Sequence, residues 1–209
     1  NMQCISDTEH KRSFHDAEVH GDITIPVNGS ILYDVHGSVY FPVNGDVKAK
    51  IDGDLSCQQL YGNFDGEVAG SLNSDIFGYM RGKIGGDLNG IVDSNFDGCI
   101  GGSLNGNVLG DFNGQIGHNL LGDIDGDLNG EISGDVIGSW IRGNMNGIVE
   151  GSLFTSIDGN MGGFVKKDIV GNILGDLTGG VDGSVRGLID GDVTGRIDGS
   201  VYGDIWGDI

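Results

Sequence analysis

From residue 18 to residue 209 an aliphatic residue, Met or Phe recurs at every fourth position, and a glycine follows most of them two places later. The stretch GDIDGDLNGEISGDVIG (122–138) shows the pattern without interruption. A helix is excluded, because apolar residues at a strict spacing of four drift around a 3.6-residue turn and a glycine at each turn opposes helix formation. In an extended chain side chains alternate between two faces. Aliphatic and glycine positions then share one face and the intervening polar positions the other. The pattern predicts an extended, coiling backbone with both sets directed inward.

Rarer markers set the length of the coil. EVHGDITIPVNGSILY (18–33) aligns with DVHGSVYFPVNGDVKA (34–49), placing His20 over His36 and Pro26 over Pro42, an offset of 16. Units beginning at Lys83, Cys99 and Gln115 bring Gly85, Gly101 and Gly117 into one column. Continued to the last residue, this register gives twelve units, of which those beginning at Lys50 and Glu131 contain 17 residues. An extra residue after which the pattern resumes predicts a local bulge. The expected fold is all-β: a parallel β-solenoid of about twelve 16-residue coils built from G-x-Φ-x tetrapeptides. At ~4.8 Å per coil it forms a rod about 58 Å long. Aliphatic residues take positions 2, 6, 10 and 14 of each coil and glycines mostly positions 4, 8, 12 and 16, which suits four sides of four residues or a flattened coil of eight plus eight. Residues 1–17 fall outside the repeat and read as a cap or tether.

Exceptions at glycine positions test which way those positions point. Ile25, Tyr33, Phe41, Ala49 and Cys57 fill them in the first three coils, which predicts a wider, better-filled N-terminal end. His118 and Lys167 fill them further on, so either the path opens there or those corners face water, since an unpaired buried lysine is costly.

Composition excludes several classes. With 42 glycines and 2 prolines at a spacing of four, the chain is not collagen-like, and the regular aliphatic residues argue against disorder. A formal charge of −20 disfavours nucleic acid and anionic membranes as partners. No apolar run reaches membrane-spanning length. Three cysteines, Cys4, Cys57 and Cys99, lack metal-site spacing and indicate no disulfide framework. Repeated glycines produce chance phosphate-loop look-alikes, but the GK[ST] ending and a following helix are missing. No nucleophile–base set is identifiable, so the chain is read as non-catalytic and without a cofactor.

Three groups of outward residues remain. Column 5 alternates Asp with Ser or Asn, relieving a repulsion of roughly 1 kcal/mol between stacked carboxylates. Column 13 stacks Asp176, Asp192 and Asp208, the better place for a bound cation such as Ca2+. His20, His36 and Asp52 in column 3 could hold a transition metal, although an exposed polar column is the preferred reading of them. Column 7 carries Leu121, Ile137, Phe154 and Val170 in consecutive coils, with Tyr202 beyond and Trp140 in the nearby insertion. A contiguous outward apolar stripe marks an interface.

The repeat resembles the quadrilateral solenoid of pentapeptide-repeat proteins with one residue fewer per side. In phrases such as GDLNGEISGDV (126–136) it is similar to bactofilins, whose coils polymerise end to end. Both resemblances imply a scaffold or filament and carry over no functional residue. The sequence stops at Gly207-Asp208-Ile209 without a capping sequence, leading to the expectation either that it is a segment of a longer chain or that Ile209 lies in a head-to-tail contact. The expected function is a structural protein that forms or belongs to a filament, fibre or extracellular, cell-surface or virion appendage, with a cytoplasmic filament as the alternative compartment. Its expected partner is itself, end to end and side by side. An adhesin presenting a repetitive face to a glycan is the alternative function.

Overall fold

The computed structural model describes residues 18–209; the cap or tether expected over 1–17 lies outside the described residues. The chain is a parallel β-solenoid of twelve coils. Positions 1 and 2 form one twelve-stranded sheet, running from Glu18–Val19 to Arg196–Ile197, in which each strand pairs with that of the next coil. Val19 lies over Val35 and Val35 over Ile51, as the 16-residue offset requires. Positions 6 and 7 form a second sheet of ten strands, from Leu55–Leu60 to Val201–Tyr202, which single bridges from Ile23 through Val39 to Leu55 extend into the first coils. Positions 10 and 14 complete the section as two columns of parallel bridges, such as Val92↔Val108 and Phe96↔Phe112. The backbone bends near positions 4, 8, 12 and 16, so the coil has four sides and is not flattened.

Both long coils are bulged where the register demanded it. One irregularity lies between Leu55 and Gln58, with Gln58 at φ +62°, and the other between Ile137 and Trp140. In each bulged coil the corner at position 8 straightens into a continuous strand, Leu55–Leu60 and Val136–Ile141. The following coil copies the wider path, and a side chain enters where glycine usually stands: Ser74 after the first bulge and Thr155 after the second, both buried. Cys57 is buried at the same corner and donates its thiol to Ser74 Oγ at 3.2 Å. Cys99 is disulfide-bonded, a link that the count and spacing of the cysteines did not announce.

The interior consists of the four aliphatic columns, inaccessible to solvent through most of the rod. Position 14 holds the bulkiest members, and the rings of Phe96 and Phe112 stack at 4.8 Å with 7° between planes. Glycine at position 16 leaves room for the backbone of the preceding coil and for these side chains: a Cβ on Gly114 would lie 2.2 Å from Gly98 O and 2.5 Å from Phe96 Cε1.

Glycines at positions 4 and 12 serve a different purpose from the inward one expected of them. Where the backbone turns, the N–H of the following residue leaves the backbone ladder and donates to a side-chain oxygen one coil earlier. Ser103 N donates to Asp87 Oδ1 at 2.8 Å, and Asp135 N to Asn119 Oδ1 at 2.9 Å. The glycine before that N–H passes directly over this oxygen. A Cβ on Gly102 would sit 2.1 Å from Asp87 Oδ1, and one on Gly126 would sit 2.3 Å from Asp111 Oδ1. These glycines therefore face along the axis toward the preceding coil.

The exceptions follow the same rule. Beyond the first coil, positions 4 and 12 depart from glycine only at Ser94, His118 and Lys167, and the residues beneath are Tyr79, Ser103 and Ser152, none of them Asp or Asn. Over Ser103 the rung stretches to 3.3 Å. His118 and Lys167 are exposed, so those corners face water. The expected filling of the N-terminal end is corrected in part. Ala49 and Cys57 are buried and Tyr33 half-buried, but Ile25 (69% exposed) and Phe41 (39% exposed) project outward, because no bulge has yet opened the position-8 corner to admit them.

Gly102→Ala is expected to lower unfolding stability by about 2–3 kcal/mol, since neither the backbone nor the Asp87 rung can give way. Gly29→Ala, with nothing within 4 Å of the added carbon, is expected to be neutral or slightly stabilising. Denaturant unfolding of the two variants checks the contrast.

Candidate functional site

Chemistry-bearing side chains lie on the outside of the rod, where the 16-residue register stacks like positions. Column 13, proposed for a cation, is a hydrogen-bonded ladder: Asp192 N donates to Asp176 Oδ1 at 2.9 Å and Asp208 N to Asp192 Oδ1 at 2.8 Å. One oxygen of Asp176 and one of Asp192 is thus committed to the backbone. Column 5 is built alike, with Ser38, Asp54, Ser71 and Asp87 each receiving the N–H of the coil after. Asp, Asn and Ser all supply a short-reach acceptor, which explains the composition of both columns more directly than charge interleaving does. Stacked Asp111 and Asp127 are tolerated because an N–H lies between their carboxylates.

Column 3 joins its candidate metal ligands in another way. His36 Nδ1 lies 2.7 Å from Asp52 Oδ2 and Nε2 lies 3.3 Å from Glu18 Oε2. His20 stacks on the His36 ring at 5.0 Å, and Lys50 Nζ reaches Asp52 at 3.4 Å. Both imidazole nitrogens of His36 are engaged by carboxylates, so the arrangement is an ion-paired clasp across the first three coils. Hydrogen bonds from Asp52 and then Glu18 raise the His36 pKa above its ordinary 6.5, and the same His36 contact, followed by Lys50, holds Asp52 below 3.8. Among the described residues no group of three His, Cys, Asp or Glu is arranged to hold a metal ion.

Column 7 places the remaining candidates. Leu121 lies over Ile137 and Ile137 over Phe154, with Val170 in the coil beyond. The four are 38–42% exposed. Trp140, displaced around the corner by the bulge, is equally exposed and lies 5.2 Å from the Arg142 guanidinium. Tyr202 is 60% exposed but separate from the stripe, because Arg186 intervenes with its guanidinium 5.0 Å above the Tyr202 ring. Ile209, assigned to an end contact, is exposed at the last described residue.

Two outward features escaped the sequence reading. In column 7 the Asn73, Asn89 and Asn105 amides bond one to the next at 2.7 and 2.6 Å. In column 15 Asp97, Asn113, Asn129 and Asn146 do the same at 2.7–2.9 Å. Asn recurring at an offset of 16 or 17 was the available signal. No family model, curated protein or solved structure matches the chain.

Removing one acceptor from column 13 tests the ladder. Asp111→Ala leaves the Asp127 N–H without its partner and is expected to cost about 1–2 kcal/mol, whereas Asp111→Asn keeps an oxygen in place and stays near wild type in thermal unfolding.

The clasp has a pH window. His36 is easier to protonate when folded, so its contribution is complete below pH 6.5 and fades as pH rises through the elevated folded-state value. Asp52 is held ionised, so its contribution is present above pH 3.8 and fades as pH falls through the depressed value. Amide exchange in the first three coils is expected to be slowest between those limits, and NMR titration should show Asp52→Asn lowering the His36 pKa.

Proposed function

We propose that the chain is a non-catalytic structural rod that assembles end to end. The observation that supports this most is the constancy of the coil. Apart from the two bulged coils and the coil after each, successive coils keep one contour and one register. The first and last coils are both of this regular kind, so the upper surface of one end matches the lower surface of the other. A contact that repeats by translation along an axis does not close and produces a filament. Among the described residues, Val19, Ile23, Val27 and Tyr33 border an apolar depression in the first coil. The interior is occupied by aliphatic columns, and the polar side chains outside are tied into axial ladders, an arrangement suited to rigidity. The exposed apolar stripe of column 7 supplies a lateral contact.

The side-chain amide ladders favour a second reading, an adhesin whose regularly spaced polar columns meet a glycan. Electron microscopy of the purified chain over a range of concentrations separates the two. Filaments with a ~4.8 Å axial repeat in diffraction are the expected result. Single rods at every concentration would overturn the end-to-end reading, and retention of such rods on a glycan array would replace it with the second.

A further inference from the structure

Column 7 has a property beyond its apolar stripe. From Thr24 in the first coil to Tyr202 in the last it contains no Asp or Glu, whereas each of the seven other outward columns contains at least one. The chain has 31 acidic residues and a net charge of −20, so one full-length line without acids is a distinct feature of the surface. A basic partner would be attracted by carboxylates and would gain nothing from their removal. A partner carrying the same excess of negative charge would require it.

We propose that this face is the contact between two copies of the chain lying side by side and antiparallel, an inference that deepens the structural-rod reading and rests on it. Coils 5 to 12 of the two copies overlap in the antiparallel register centred between the eighth and ninth coils, about 38 Å of rod by about 13 Å of side, or roughly 500 Å2 per copy, which reaches the ~1,000 Å2 total of a small specific interface.

Direction follows from the order of residues in the column. A two-fold axis between the eighth and ninth coils sets Ile137 of one copy against Phe154 of the other, and Leu121 against Val170. The same operation sets Arg186, the one charged residue of the column, against the uncharged Asn105 amide. Parallel copies would instead stack Arg186 on Arg186 across the contact.

Sedimentation equilibrium of the whole chain at physiological salt tests the contact with two outward substitutions. Ile137→Lys and Phe154→Asp should each weaken dimerisation at least about 100-fold, since each places an unpaired charge against an apolar residue of the other copy. The antiparallel register opposes the two altered positions, so an equimolar mixture of the variants should restore dimers. Circular dichroism should be unchanged in both, because neither side chain enters the core, and thermal unfolding should match that of the wild type at concentrations where the wild type is also monomeric. A monomeric wild type, a dimer indifferent to both substitutions, or a mixture that stays monomeric would overturn the proposal. Filaments that never pair sideways would sink it while leaving end-to-end assembly standing, and paired rods without filaments would do the reverse.

Discussion

At each of the corners at positions 4 and 12 the backbone must change direction while its N–H groups stay bonded. The fold meets this constraint with two neighbouring residues acting across coils. A glycine removes the carbon that would block the axial path, and the Asp, Asn or Ser after it supplies an oxygen to the next coil's N–H. The two depend on each other where the acceptor is Asp or Asn: without the oxygen a turning N–H is left without its bond, and without the glycine the side chain has no room. The shorter Ser103 still accepts a longer rung beneath His118. Straight sides between corners need only aliphatic residues facing inward. Four short ladders and their corners account for nearly all of the architecture.

Much of this was legible in the chain because a solenoid converts sequence spacing directly into spatial contact. His20 over His36, the aliphatic columns, the bulges of the two 17-residue coils and the exposure of Leu121, Ile137, Phe154 and Val170 all follow from counting. The orientation of the corner glycines was not legible. Alternation of faces holds along a straight strand but fails at a bend, where the Cα substituent points along the rod toward the preceding coil; at position 8 the unstraightened bend leaves Ile25 and Phe41 exposed when burial was expected. The purpose of the aspartates was hidden for a related reason. Charge is a property of one residue, but the acceptor role of Asp111 appears only once the N–H of Asp127 is placed above it. Asp176 and Asp192 thus belong to the scaffold that holds the coils in register.

The two bulges connect scaffold and surface. Each straightens one corner, admits Ser74 or Thr155 to the interior of the coil after it, and alters what is presented outside. The second sets Trp140 over Ser156, around the corner from column 7, so this exposed aromatic residue owes its place to one extra residue.

The corner chemistry also has a direction. A side-chain oxygen always waits for an N–H that comes later in the chain, and partners are separated by only 16 or 17 residues. A chain delivered N-terminus first from a ribosome therefore meets, one coil at a time, a template whose acceptors are already in position. Assembly of the rod amounts to accretion along a one-way scaffold, in which the longest wait for a partner is the synthesis of a single turn.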